Sequence, residues 1–137
     1  MGGSDEERLD DPSIHSDDPL WRRIHPMQVV PDPKSGGFRP SSAAFNDPSN
    51  GTPMSVVLGK EVLAAARTSE SVLQDHPGFS LASLTAGLAR KHQQTVYRLP
   101  VAGEPAHAEV KGAKPKSTCK EFAKQATWVV LRQPAQS

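Results

Sequence analysis

Apolar positions along this chain come in short bursts broken by prolines and glycines. No burst approaches the ~20 residues that a membrane span needs. Leu20-Trp21-Arg22-Arg23-Ile24 reads as a first strand, opened by Pro19 and closed before Pro26. Period-two alternation puts Trp21, Arg23 and His25 on one side, with Arg22 and Ile24 on the other. Val29-Val30 continues as a short extended piece. Turn formers then dominate residues 31–53, an irregular excursion anchored by Phe38 and Phe45. Met54–Leu58 is a short strand and Lys60–Arg67 a short helix, with Val62, Leu63 and Ala66 facing inward.

Asp75-His76-Pro77-Gly78 makes a turn. Over Phe79–Ala89 the pattern fits two templates: Leu81, Leu84 and Leu88 make a helical stripe, while Ala82, Leu84, Ala86 and Leu88 alternate as in a strand. Gly87 weakens a helix, so a hairpin into the strand Thr95–Leu99 is preferred. Ala106–Lys111 reads as another strand. In the last helix Ser117 can cap, and Cys119, Phe122, Ala123 and Ala126 fall on one face. Trp128–Leu131 returns as a final strand. No repeat appears. The expected fold is α+β: a small, mainly antiparallel sheet with one or two covering helices.

Composition narrows this picture. Of the apolar residues fifteen are alanine, and thirteen prolines and ten glycines favour turns over long helices. A single cysteine forbids an internal disulfide and a multi-cysteine zinc site. The opening residues MGGSDEERLDDPS are acidic and polar, unlike a secretory signal, so a cytoplasmic protein without a membrane span is expected. The net charge of +1 conceals a division. Residues 1–18 carry seven acids and one base, leaving eight acids and fifteen bases, a balance of +7, for residues 19–137. The expected organisation is a disordered acidic tail over 1–18 and a single compact domain over 19–137.

Three blocks could carry chemistry. Period two places His107, Glu109 and Lys111 in one column, where they could supply a base, an orienting carboxylate and an anion contact; in an exposed strand the same residues simply meet water. Arg22-Arg23-Ile24-His25-Pro26 offers guanidinium forks for a phosphate or carboxylate, with Arg23 on the face of His25. Arg39-Pro40-Ser41-Ser42 can cradle an anion with backbone amides and two hydroxyls, or serve as a turn or helix cap. His107 and Glu109 are therefore the candidate catalytic pair. Arg23, His25, Arg39, Ser41, Ser42 and Lys111 are the candidate ligand-binding residues.

No phosphate loop, dinucleotide fingerprint or serine-hydrolase elbow occurs. The five histidines never pair at metal-ligand spacing, so no metal and no cofactor is expected. Cys119 reads as an inert core atom. Lysines and one arginine make the C-terminal third positive, but no nucleic-acid motif is present and specific nucleic-acid binding is disfavoured.

The blocks Arg22-Arg23-Ile24-His25-Pro26, Arg39-Pro40-Ser41-Ser42-Ala43-Ala44-Phe45 and Pro105-Ala106-His107-Ala108-Glu109-Val110, in this order, resemble a family of small bacterial domains. The resemblance runs from about residue 20 to residue 131 and implies one compact unit, with no activity attached. The leading expectation is a small bacterial binding or regulatory module, an accessory part of a larger system, with a protein partner. The alternative is an enzyme acting on a phosphorylated or nucleotide-like anionic ligand through an Arg/Ser/His/Glu pocket.

Overall fold

The computed structural model describes residues 8–132. Its strands are β1 (Pro19–Ile24), β2 (Val29–Asp32), β3 (Gly37–Pro40), β4 (Met54–Leu58), β5 (Ser80–Thr85), β6 (Thr95–Arg98), β7 (His107–Lys111) and β8 (Thr127–Val130). Its helices are α1 (Gly59–Ala64), α2 (Ala86–Lys91) and α3 (Lys116–Gln125). Six strands form one antiparallel sheet in the order β6-β7-β4-β1-β5-β8, and β2 pairs with β3 in a separate hairpin. The fold is α+β, with three short helices. None of the described helices is long and apolar enough to cross a membrane.

Pattern and position agree along the sheet. At the centre, Leu20, Trp21, Ile24, Val56, Val57 and Leu58 are all buried, because layers cover both faces. Near one edge, β7 alternates: Ala108 and Val110 are buried, whereas His107, Glu109 and Lys111 are not. The adjacent arginines of β1 identify the two covering layers. Arg22 Nε donates to the carbonyl of Ala44, in the 3-10 turn Ser42–Phe45. Arg23 Nε donates to the carbonyl of Val72, in the 3-10 turn Ser69–Leu73. On the Arg22 side α3 packs on the first turn, with Phe45 and Phe122 edge to face at 6.1 Å. On the other side Trp21 lies against Gly59, where a Cβ would come within 2.3 Å of its ring.

Several expectations need correction. Residues 8–18 are not a disordered tail. Ile14 is 1% exposed, the backbone N–H of Asp11 donates to Val96, and Asp10 accepts the Val96 N–H. The acids that argued for disorder meet cations of the domain: Asp10 with Arg90, Asp11 with Arg98, and Asp18 with Lys60. Residues 1–7 of the expected tail lie outside the described residues.

The expected hairpin over 79–99 does not form. β5 ends at Thr85, whose side chain caps α2 by accepting from Leu88 N. Helix α2 then carries the chain from β5 to β6 at the opposite edge, four strand positions away or about 19 Å. Gly87 does not break this helix, since the segment before β1 lies on it: a Cβ there would meet Ser16 at 3.1 Å.

Helix α1 ends at Ala64, and Ala66 turns left-handed at φ 61°. Leu63, expected inside, is therefore exposed together with Ala66, and only Val62 enters the core. Helix α3 starts two residues earlier than expected, after Pro115, and Ser117 does not cap it. Finally, the excursion over 31–53 is partly regular, because β2 and β3 pair within it.

Candidate functional site

The three expected blocks do not converge; each lines a different cavity. Arg39 and Ser42 border the largest, a groove of about 830 Å³ between the β2–β3 hairpin and the α3–β8 segment. Arg23 and His25 line a crevice of about 240 Å³ beside the centre of the sheet. Glu109 and Lys111 line a shallow cavity near the β6–β7 edge.

In the groove, Phe38 from β3, Trp128 from β8, and Ala123 and Ala126 from α3 and its end supply an apolar floor. The indole N–H of Trp128 donates to the Phe38 carbonyl at 3.0 Å and ties the two walls together. Lys34, Arg39, Lys120 and Lys124 surround this floor. Against those four cations stands one carboxylate, Asp32, whose oxygens accept from Lys34 N and Ser35 Oγ within the hairpin turn. Arg39 Nη1 donates to its neighbour's carbonyl, that of Pro40. Ser41 precedes the 3-10 turn without a side-chain cap bond, and its N–H donates to the Gln28 carbonyl.

The expected catalytic pair on β7 is not a pair. His107 Nδ1 donates to the carbonyl of Leu99 at 2.8 Å, because a carbonyl can only accept. Glu109 accepts from the Tyr97 hydroxyl at 2.7 Å across the β6–β7 register. Burial and that carboxylate push the Tyr97 phenol up, so it remains a hydrogen-bond donor. Lys111 is exposed.

In the crevice, His25 Nδ1 accepts the N–H of Met27 and caps the 3-10 turn Pro26–Gln28. Phe79 lies edge-on between His25 and His76, at 5.1 and 5.2 Å. Burial, followed by the charge of Arg23, lowers the His76 pKa, so that imidazole favours its neutral form.

Beside the crevice lies a polar cluster that the motif reading missed. Glu104, 5% exposed, accepts two parallel bonds from Arg67 at 2.7 and 2.9 Å and a third from Ala106 N at 3.1 Å. Arg23 Nη2 stands 4.0 Å from the same carboxylate. The Arg67 bonds hold Glu104 below the usual carboxylate range, against the opposing effect of burial. No local sequence signal marks this cluster, since its members come from a helix exit, a turn and a strand separated by decades of residues.

Cys119 is buried, with Sγ at 3.1 Å from Asn46 Oδ1, and burial pushes its thiol pKa up, which disfavours the nucleophilic thiolate. Among the described residues no group of three or more His, Cys, Asp or Glu side chains could hold a metal ion. Comparisons with protein-family models, with curated proteins and with solved structures find no match to this chain.

Proposed function

We propose that the protein is a binding module that docks an extended acidic segment of a protein partner in the groove between the β2–β3 hairpin and α3–β8. The observation that carries this reading is the imbalance of four cations over one internally bonded carboxylate around an apolar floor. Carboxylates alternating with apolar side chains would meet both parts, the acids on the basic rim and the apolar groups on Phe38, Ala123 and Trp128. A volume of about 830 Å³ lies within the range of ligand-holding clefts. β8 also ends the sheet, and a terminal strand offers a main-chain edge to an incoming extended segment.

The dispersion of the three polar blocks supports binding over catalysis. Arg23, Ser42 and Glu109 line separate cavities, and His107 and Glu109 are each bonded elsewhere. A peptide suits the groove better than a nucleic acid. Of the residues lining the groove only Phe38 and Trp128 are aromatic, and the Trp128 N–H is committed to the Phe38 carbonyl, so few rings are offered for bases to stack on. In this reading the module is a cytoplasmic accessory of a larger bacterial system.

A fluorescent peptide of alternating Glu and Leu residues, followed by anisotropy, tests the proposal. It should bind saturably, and Lys120→Glu combined with Lys124→Glu should weaken binding roughly tenfold or more, chiefly by slowing association, as rim charges do. Equal binding of a lysine-substituted peptide would overturn the reading, as would tighter binding of a single-stranded oligonucleotide.

A further inference from the structure

β1 and β4 pair at Leu20 with Leu58 and at Trp21 with Val57, and the ladder stops there. Beyond that point β1 continues with Arg22 and Arg23 while β4 continues back through Val56 and Ser55, so the two strands part within the sheet. The crevice opens at this split. Arg22 reaches into it, donating from Nη1 to the Ser55 carbonyl at 2.8 Å and from Nε to the Ala44 carbonyl at 2.9 Å. Both acceptors are neutral. Its Nη2 has no hydrogen-bond partner among the described residues and is not sealed from solvent.

The charge balance is one-sided. Two arginines and two histidines line the crevice and no carboxylate does. Of the acids near the guanidiniums, Asp47 and Glu104 each also bind another cation, and Asp75 adds its charge beside Arg23. Asp47, on the side of Arg22, is bonded by Lys114 at 2.7 Å. Glu104, near Arg23, is held by both nitrogens of Arg67. Desolvation lowers Arg22 to about 10, which still leaves it charged at neutral pH. Arg22, whose acceptors are both neutral, thus shares the lining of this crevice with Arg23 and two imidazoles, and no carboxylate is part of that lining.

We infer that the crevice at the β1–β4 split is a binding site for a small oxyanion, a phosphate group or a carboxylate, held by Arg22 and Arg23 with Ser55 and His76 beside them. Planar guanidinium forks match the oxygens of both groups. At about 240 Å³ the space is smaller than the usual cleft for a drug-sized ligand, so a small anion or the terminal group of a larger ligand fits, and a whole nucleotide does not. The site is separate from the peptide groove and stands without it.

The test uses the whole protein titrated with sodium phosphate, and in parallel with sodium acetate, at constant ionic strength set with chloride. Proton–nitrogen correlation spectra would follow the arginine Nε–H and backbone signals. Saturable shifts at Arg22, Arg23, Ser55 and His76 are expected in at least one series. Phosphate alone would identify a dianion site, and acetate a carboxylate site. Arg23→Ala should weaken that binding tenfold or more, while Lys120→Ala leaves it unchanged. If Arg23→Ala does not fold, Ser55→Ala and the wild-type shift map still decide the matter. Shifts that fail to saturate, that chloride reproduces, or that map instead to Lys34, Lys120 and Lys124 would overturn the proposal.

Discussion

Glu104→Ala removes the carboxylate on which Arg67 and Arg23 converge, and the structure sets the size of the loss. The side chain of Glu104 is 7% exposed, and those of Arg67 and Arg23 are 26% and 24% exposed. Breaking a buried pair by deleting one partner costs about 3–5 kcal/mol, because the other charge stays uncompensated. Water still reaches a quarter of each arginine, which places the expected loss near the lower end, about 3 kcal/mol. At this chain length each kcal/mol moves the melting temperature by about 3 °C, so a drop of roughly 9 °C is expected. Glu104→Gln keeps an acceptor for the Ala106 N–H and loses only the charge, so about 2 kcal/mol is expected.

The pH dependence follows from the same bonds. The folded carboxyl lies below its ordinary value of 4.5, so its stabilisation is complete above that value and disappears as the pH falls through the lower folded one. The gap between wild type and Glu104→Gln should therefore be widest at neutral pH and close in acid. Urea unfolding followed by tryptophan fluorescence over a pH series measures it. A Glu104→Gln protein within ~0.5 kcal/mol of wild type at neutral pH would refute the reasoning, as would a gap that stays constant into acid.

Two further substitutions probe the fold. Ile14→Ala should cost about 2–5 kcal/mol in urea unfolding, as fully buried large-to-small changes do; a neutral result would return residues 8–18 to the status of a tail. Gly59→Ala should cost at least about 1–3 kcal/mol, because the new Cβ would fall 2.3 Å from Trp21 Cε2 and the ring cannot step aside within a buried layer. An unchanged melting temperature would mean that Trp21 does not sit where the structure has it.

Where a local pattern had one physical solution, the sequence sufficed. β4, β6, β7 and β8 fall within a residue or so of where alternation put them, and Cys119, Phe122 and Ala123 are buried on α3 as their spacing requires. Where the outcome depended on a distant partner, the local rule misled. The acids at positions 10, 11 and 18 look unable to fold until Arg90, Arg98 and Lys60 are brought to them by the sheet order. That error carried a second one with it. Gly87 argued against a helix on its propensity alone, with its neighbour Ser16 assigned to a disordered tail. With Ser16 in place, a glycine is what lets the two backbones approach, and its N–H donates to the Ser16 carbonyl at 2.8 Å.

The candidate site shows the same division. Alternation on β1 correctly separates Arg22 from Arg23, but it cannot say what covers either face or where a ladder ends. In the folded chain the strand sends Arg22 to one covering layer and Arg23 to the other. If β4 stayed alongside β1 to its end, the Ser55 carbonyl could bond the neighbouring strand and would not be left for Arg22. Because the ladder stops at Trp21, a guanidinium fills the place of a backbone donor and carries its charge in toward two neutral carbonyls. An arginine spent only on closing a gap would bind all of its nitrogens internally. Arg22 Nη2 has no hydrogen-bond partner among the described residues, and that unspent donor is the one the proposed oxyanion would take.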